Sequence, residues 1–188
     1  AVLISDLHLT PESPETLAYF HHFLRSLGNI DSLYVLGDLF EYWLGDDAYE
    51  TLGHSPVEDS LKNLTNMGTP VRVLPGNRDF LLGQEFAYRT GSTILKDATI
   101  QPFFGRPVLL LHGDSLCTDD EAHQKFRFIV DQPEWRSTFL DKRISERDDI
   151  GRAIRFRSNI EKRYKTSRIM DVNQYAVEAA LKPTKARL

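Results

Sequence analysis

Leu33-Tyr-Val-Leu-Gly-Asp-Leu-Phe-Glu41 decides the fold. Leu33 to Leu36 is a short apolar run closed by Gly37, the pattern of a buried strand delivered into a turn. Asp38 follows at once, and an ionised carboxylate there is costly to desolvate unless something cationic meets it. Three other strand-like runs end in the same way: Val2-Leu-Ile4 leads into Asp6 and His8, Val71-Arg-Val-Leu74 into Asn77, and Val108-Leu-Leu-Leu111 into His112. Ligands of open α/β sheets gather at the carboxyl ends of strands, so these runs together predict a two-metal site.

Between the strands the sequence reads as helix. Thr10-Pro-Glu-Ser-Pro-Glu combines capping side chains, early proline and acidic residues, and predicts a helix to about residue 27. Leu17, Phe20, Phe23, Leu24 and Leu27 share one face of it. Further helices are expected over 58–67 and 84–90, and a hairpin over 98–104 and 108–111. Alternating strand and helix implies α/β architecture, with a second, partly antiparallel sheet packed on the first. From Thr118 the chain turns into charged helices, expected over 121–130, 134–144 and 148–163. Phe126, Phe128, Trp135, Phe139 and Phe156 are spaced along them, and any one of these rings has a plain packing role as its ordinary reading. A last helix is expected from about 169 to 181, and a strand beginning at 186–188.

The 188 residues suit one domain with a sizeable core, and the net charge of -4 argues against a general nucleic-acid binder. That charge is unevenly spread. Arg152, Arg155, Arg157, Lys162, Arg163, Lys165 and Arg168 against Glu161 make residues 151–168 a +6 segment on a -10 remainder. Such a patch suits an anionic ligand or an anionic membrane surface. Cys117 is the single cysteine, which excludes an intrachain disulfide and fits a reducing cytosol. No apolar run approaches the ~20 residues of a membrane span, and no signal-peptide pattern precedes the first strand. Because the chain opens on that strand without Met, a few preceding residues are expected.

Each ligand block also has an ordinary reading on its own. Asp6-x-His8 is common in surface loops, though both side chains can point one way if the extended conformation continues. Asp38 could be a helix cap and His112 a satisfied buried histidine. Gly76-Asn77-Arg78-Asp79 is harder to explain as a turn, because a turn needs no arginine beside the asparagine. Imidazole, carboxylate and amide oxygen without thiolate fit octahedral Mn²⁺ better than structural Zn²⁺. A carboxylate such as Asp38 can bridge two cations, which together activate water and offset phosphoryl charge. Arg78 could reach the same phosphoryl oxygen with its planar fork of donors and stabilise a pentavalent transition state.

In this order, Asp6-x-His8, Gly37-Asp38, Gly76-Asn77 and His112-Gly113 resemble the blocks of the calcineurin-like metallophosphoesterases. The resemblance implies a two-sheet αββα sandwich of mixed sheets carrying a dinuclear site. Most of that superfamily has His after the Asn, where this chain has Arg78. Gly76-Asn-Arg-Asp-Phe-Leu-Leu-Gly83, Gly37-Asp-Leu-Phe-Glu-Tyr-Trp-Leu-Gly-Asp-Asp47, His112-Gly-Asp-Ser-Leu-Cys-Thr-Asp-Asp120 and Ile169-Met-Asp-Val-Asn-Gln174 resemble the branch that cleaves UDP-2,3-diacylglucosamine in lipid A synthesis.

That branch implies hydrolysis of the pyrophosphate to UMP and 2,3-diacylglucosamine 1-phosphate (lipid X) with two Mn²⁺ per subunit. One ion would take Asp6, His8 and Asp38, and the other Asp38, Asn77 and His112. Asn77 and Arg78 would be catalytic. Asn77, Arg78, Asp120, Ser158, Lys162 and Lys165 would contact substrate, with Lys162 standing where relatives can carry Asn. Residues 118–168 would form a helical cap for the two acyl chains, inserted in a core of 1–117 and 169–188. The protein would be cytoplasmic and peripheral on the cytoplasmic face of the inner membrane, with no protein partner and no nucleic acid. The branch also places a Gly-His-x-His block after a late strand, and the expectation is that it follows Leu188. Two rivals remain: a soluble nucleotide phosphodiesterase or pyrophosphatase of the same superfamily, and a catalytically dead binding scaffold on the same fold.

Overall fold

The computed structural model describes residues 1–184, so the strand expected at 186–188 lies outside the described residues. Two compact units divide the chain, the first Ala1–Asp97 and the second beginning at Ala98.

In the first unit, β1 (Val2–Ile4), β2 (Leu33–Leu36), β3 (Val71–Leu74) and β4 (Thr93–Ile94) form a parallel sheet in the order β1-β2-β3-β4. β2 and β3 are central and their apolar runs are almost wholly buried, as strands covered on both faces require. The two-residue β4 was not legible, being too short to show any period. α1 (Pro14–Ser26) buries Phe20 and Leu24. α2 (Ser55–Asn66) begins at Ser55 rather than 58, because Pro56 is at home in a first helical turn. α3 (Gln84–Thr90) has its expected bounds and stops at Gly91, whose φ of 69° is left-handed. α2 and α3 are joined by a buried fork: Arg89 donates from Nε to Glu58 Oε2 at 2.6 Å and from Nη2 to Oε1 at 2.8 Å.

Beneath the loop that follows β2 lies an aromatic cluster. The His54 ring sits 4.4 Å from Phe40 and stacks on Trp43 at 5.4 Å. Burial pushes the His54 imidazole down to about 4, so it stays neutral in the fold. Between pH 6.5 and 4 the unfolded chain binds a proton there that the folded chain refuses. Stability is therefore full above about pH 6.5 and falls as pH drops towards 4, by about 3 kcal/mol. Denaturation midpoints measured across this range should show that acid slope in the parent and a much flatter one in His54→Phe; equal slopes would remove His54 as its cause.

In the second unit, β5 (Thr99–Phe103) and β6 (Arg106–Leu110) pair antiparallel around Gly105, at φ 74°. Helices α4 (Glu121–Val130), α5 (Pro133–Leu140), α6 (Ile144–Lys162), α7 (Ser167–Met170) and α8 (Gln174–Leu181) follow. α6 starts at 144, not 148, because the Glu146 carboxylate reaches back to accept from Arg143 N–H at 3.1 Å and from Arg143 Nε at 3.3 Å, closing its first turn. The single helix expected over 169–181 is two. Asn173 accepts hydrogen bonds from the backbone N–H groups of Tyr175 and Ala176, so it caps a new helix instead of continuing the old one. Phe139 is buried and stacks on Trp135 at 5.0 Å, the plain packing role. Phe128 and Phe156 are 72% and 70% exposed and do not follow it.

Candidate metal centre

Register brings the first unit's ligand loops together. Ile4 pairs with Val35 and Leu36 with Leu74, so β1, β2 and β3 end at one edge of the sheet. The loops then stay zipped beyond the strands. Asp6 N donates to Gly37 O at 3.1 Å, His8 N to Asp38 O at 3.0 Å, and Leu9 bridges Phe40. The extended conformation expected for Asp6-x-His8 does not continue. Asp6, His8 and Asp38 have φ of 55°, 50° and 53°, the first unit's non-glycine residues with left-handed backbone. For an L-residue that conformation costs about 1 kcal/mol or more and collects at functional sites. Here it, and not an extended chain, sets the directions of three candidate ligands.

Asp38 is 3% exposed, and its Oδ1 accepts from Arg78 N at 2.9 Å. Its Oδ2 lies 3.4 Å from Arg78 Nε and 3.8 Å from His8 Nδ1. Gly76 is required beside it, because a Cβ there would stand 2.3 Å from Asp38 Oδ1 and 2.5 Å from Asp38 N. Asp6 and Asp38 present carboxylate oxygens within 4.8 Å of each other. His8 Nδ1 is buried with no hydrogen-bond partner, although it stands 3.9 Å from Glu41 Oε2 as well. Burial, then the charge of Arg78, hold the His8 imidazole below its ordinary pKa and favour the neutral form that ligates metals.

These residues fit a divalent cation. Two ligands each about 2.1 Å from one octahedral ion lie about 3 Å apart at right angles and about 4 Å apart when opposed. The 3.8 Å between His8 Nδ1 and Asp38 Oδ2 falls in that range, beyond a hydrogen bond. A buried nitrogen left without a partner beside two carboxylates is what such an ion would satisfy. Asn77 is half-buried between Gly76, whose N–H donates to Asp79 Oδ1, and Arg78, whose N–H donates to Asp38 Oδ1.

Sequence reasoning missed the residues that brace these loops. Asp79 is wholly buried and accepts backbone hydrogen bonds from Gly76 at 2.7 Å, Phe40 at 3.2 Å and Asp38 at 3.3 Å. Burial raises its pKa, against the pull of those bonds. Asp46 accepts from Trp43 Nε1, Gly83 N and Phe86 N, each at 3.0 Å, tying the loop after β2 to the start of α3. Glu41 takes the Arg78 guanidinium at Nη1. The only sequence signal for these was their place inside the quoted blocks Gly37–Asp47 and Gly76–Gly83.

In the second unit His112 follows β6, half-buried. Two residues on, Asp114 holds His123 Nε2 at 3.1 Å and Arg127 Nη1 at 2.5 Å, anchoring α4 to this loop. Burial opposes ionisation of Asp114, but His123 and Arg127 together bring its pKa down to about 2. Asp120 caps α4 by accepting from His123 N at 3.1 Å, and Lys165 Nζ meets both its oxygens at 2.7 Å. The structure thus joins two of the expected substrate residues, Asp120 and Lys165. Ser158 and Lys162 lie one turn apart on α6, half-buried and exposed respectively. A groove of about 530 Å³ runs along α4, lined by Thr118, Glu121, Gln124, Lys125, Phe128 and Ile129.

A calcineurin-like phosphoesterase family model matches residues 1–173. Among curated proteins, the chain is 48% identical over 183 residues to a UDP-2,3-diacylglucosamine hydrolase of Aromatoleum aromaticum, covering 97% of this chain and 74% of that protein. Its identity to proteins of the same name is 44% over 181 residues for Serratia proteamaculans (96% and 75% covered) and 43% over 175 residues for Neisseria meningitidis serogroup B (92% and 72% covered). The chain belongs to the calcineurin-like phosphoesterases and, within them, to the family of these UDP-2,3-diacylglucosamine hydrolases.

Proposed function

We propose that this protein hydrolyses the pyrophosphate of UDP-2,3-diacylglucosamine, releasing UMP and 2,3-diacylglucosamine 1-phosphate for lipid A synthesis, with two Mn²⁺ as its resident ions. The observation that carries the metal reading is the buried, partnerless His8 Nδ1 facing Asp38 and Glu41. In the first unit Asp6, His8, Asp38 and Asn77 would hold cation. Bound there, divalent ions supply Lewis acidity and a nucleophilic water at neutral pH. The chain's own residues do the rest. Arg78, clamped at N by Asp38 and at O by Trp43 N at 3.2 Å, presents a cation to the phosphoryl oxygens as they gain charge. Asn77 stands between these anchors, and its amide oxygen would be one of the donors that hold the ion.

In the second unit, Asp120 and Lys165 would read the glucosamine headgroup together with Ser158 and Lys162, and residues 118–168 would serve as the lipid cap. The groove beside Phe128 and Ile129 supports that reading, since it offers apolar surface to an acyl chain. The deciding assay is Mn-dependent release of UMP from acylated and unacylated UDP-glucosamine. The acylated substrate should be cleaved far faster; equal rates would leave the cap idle and replace the lipid substrate with soluble nucleotides.

Among the described residues no helix is long and apolar enough to cross a membrane. Peripheral binding at the cytoplasmic face of the inner membrane is our reading of the +6 segment and of Phe156 and Tyr164, 70% and 85% exposed on and just after α6. The protein should sediment with anionic vesicles at low salt and be released at high salt. Recovery in the supernatant at low salt would remove membrane binding from this picture.

A further inference from the structure

We infer that Glu41 is a positioning residue that sets the plane and reach of Arg78. Arg78 has its backbone fixed at both ends, by Asp38 Oδ1 on its N–H and Trp43 N on its carbonyl. Its guanidinium is 10% exposed, with Nη1 on Glu41 Oε2 and Nε 3.4 Å from Asp38 Oδ2. Glu41 is itself anchored, its N–H donating to Leu9 O at 3.0 Å in the loop that carries His8. A carboxylate on one guanidinium nitrogen fixes the plane of the whole fork, and the plane decides where the remaining donors aim.

Charge makes the same point. A cation held by Asp38 would draw on that anion and set a like charge near the guanidinium. Glu41, already on Arg78 Nη1, is the carboxylate that would offset that repulsion and keep Arg78 in place for the phosphoryl group. It acts through Arg78, and so rests on the hydrolase reading. Its 3.9 Å separation from His8 Nδ1 suggests a competing role as a cation ligand, which the experiment separates.

In the full-length enzyme, Glu41→Gln should lower kcat about tenfold to a hundredfold, the range for a misplaced catalytic group, with KM little changed. Its affinity for Mn²⁺ by titration calorimetry should match the parent. Against an Arg78→Gln background, Glu41→Gln should have almost no further effect, since the group it aims is gone. A fall in Mn²⁺ affinity, or losses that multiply in the double variant, would overturn the inference while leaving the hydrolase reading intact. An unchanged rate in Arg78→Gln alone would remove Arg78 as a catalytic group and this inference with it, whereas only a parent enzyme without Mn-dependent UMP release would remove the hydrolase reading. If Glu41→Gln loses its fold by circular dichroism, Glu41→Asp, which keeps the charge and shortens the reach by a methylene, carries the same cycle.

Discussion

Asp38→Ala is expected to abolish Mn-dependent hydrolysis while the chain still folds. Asp38 is 3% exposed and meets Arg78 N, Arg78 Nε and His8 Nδ1 from one carboxylate. Its removal takes away the anion that would be shared between cations, a loss of a thousandfold or more on the scale of groups that bear developing charge. The fold should survive because Glu41 still pairs with the Arg78 guanidinium, leaving a single orphaned N–H at Arg78 as the main cost. Alanine does keep the strain, for φ of 53° costs about 1 kcal/mol without a side chain that tolerates it. Asp38→Asn is the cleaner companion: asparagine accepts the left-handed turn and the Arg78 N–H, but brings no charge. Both variants should show native circular dichroism and no measurable UMP release. Near-parental turnover in either would refute the assignment of Asp38.

The largest stability effect is expected at Asp79. Asp79→Ala strips the backbone N–H groups of Gly76, Phe40 and Asp38 of their shared acceptor in a site with no exposure. A buried donor left unsatisfied costs about 1–3 kcal/mol, and relief from burying a carboxylate offsets part of the sum. The net loss should be about 3–5 kcal/mol, read as a drop in the urea midpoint at constant slope. The same loops present Asp38 and Asn77, so Mn²⁺ affinity should fall as well, about tenfold to a hundredfold. A stability loss below about 1 kcal/mol would mean that these N–H groups find other partners, and that Asp79 does not brace the site.

Much of the candidate site was legible because its parts are local. Val2-Leu-Ile4, Leu33-Tyr-Val-Leu36 and Val71-Arg-Val-Leu74 are uninterrupted apolar runs, and each emerged as a strand of one parallel sheet. Residues next to their ends had to appear at one sheet edge, which is why Asp6, Asp38 and Asn77 could be chosen in advance. Glycine and proline carried the helix ends in the same way, as Gly91 did for α3. Failures fell where a local signal competed with a better one. Asn173 reads as an ordinary helix interior position until its side chain is seen capping Tyr175 and Ala176. Trp135 and Phe128 are alike in sequence, yet one stacks on Phe139 and the other stands 72% exposed.

Residue order by itself determined the candidate ligand types, their place after strands, the α/β class and the basic segment at 151–168, since each follows from composition and spacing along a short stretch. Tertiary structure alone decided that Asp6, His8 and Asp38 turn left-handed, that Asp79 staples two loops, and that Glu41 faces Arg78. The reason is distance along the chain. Asp38 and Arg78 are 40 residues apart, and a hydrogen bond across that separation leaves no periodicity to read. It exists only once parallel strands of matched register bring both loops to the same edge.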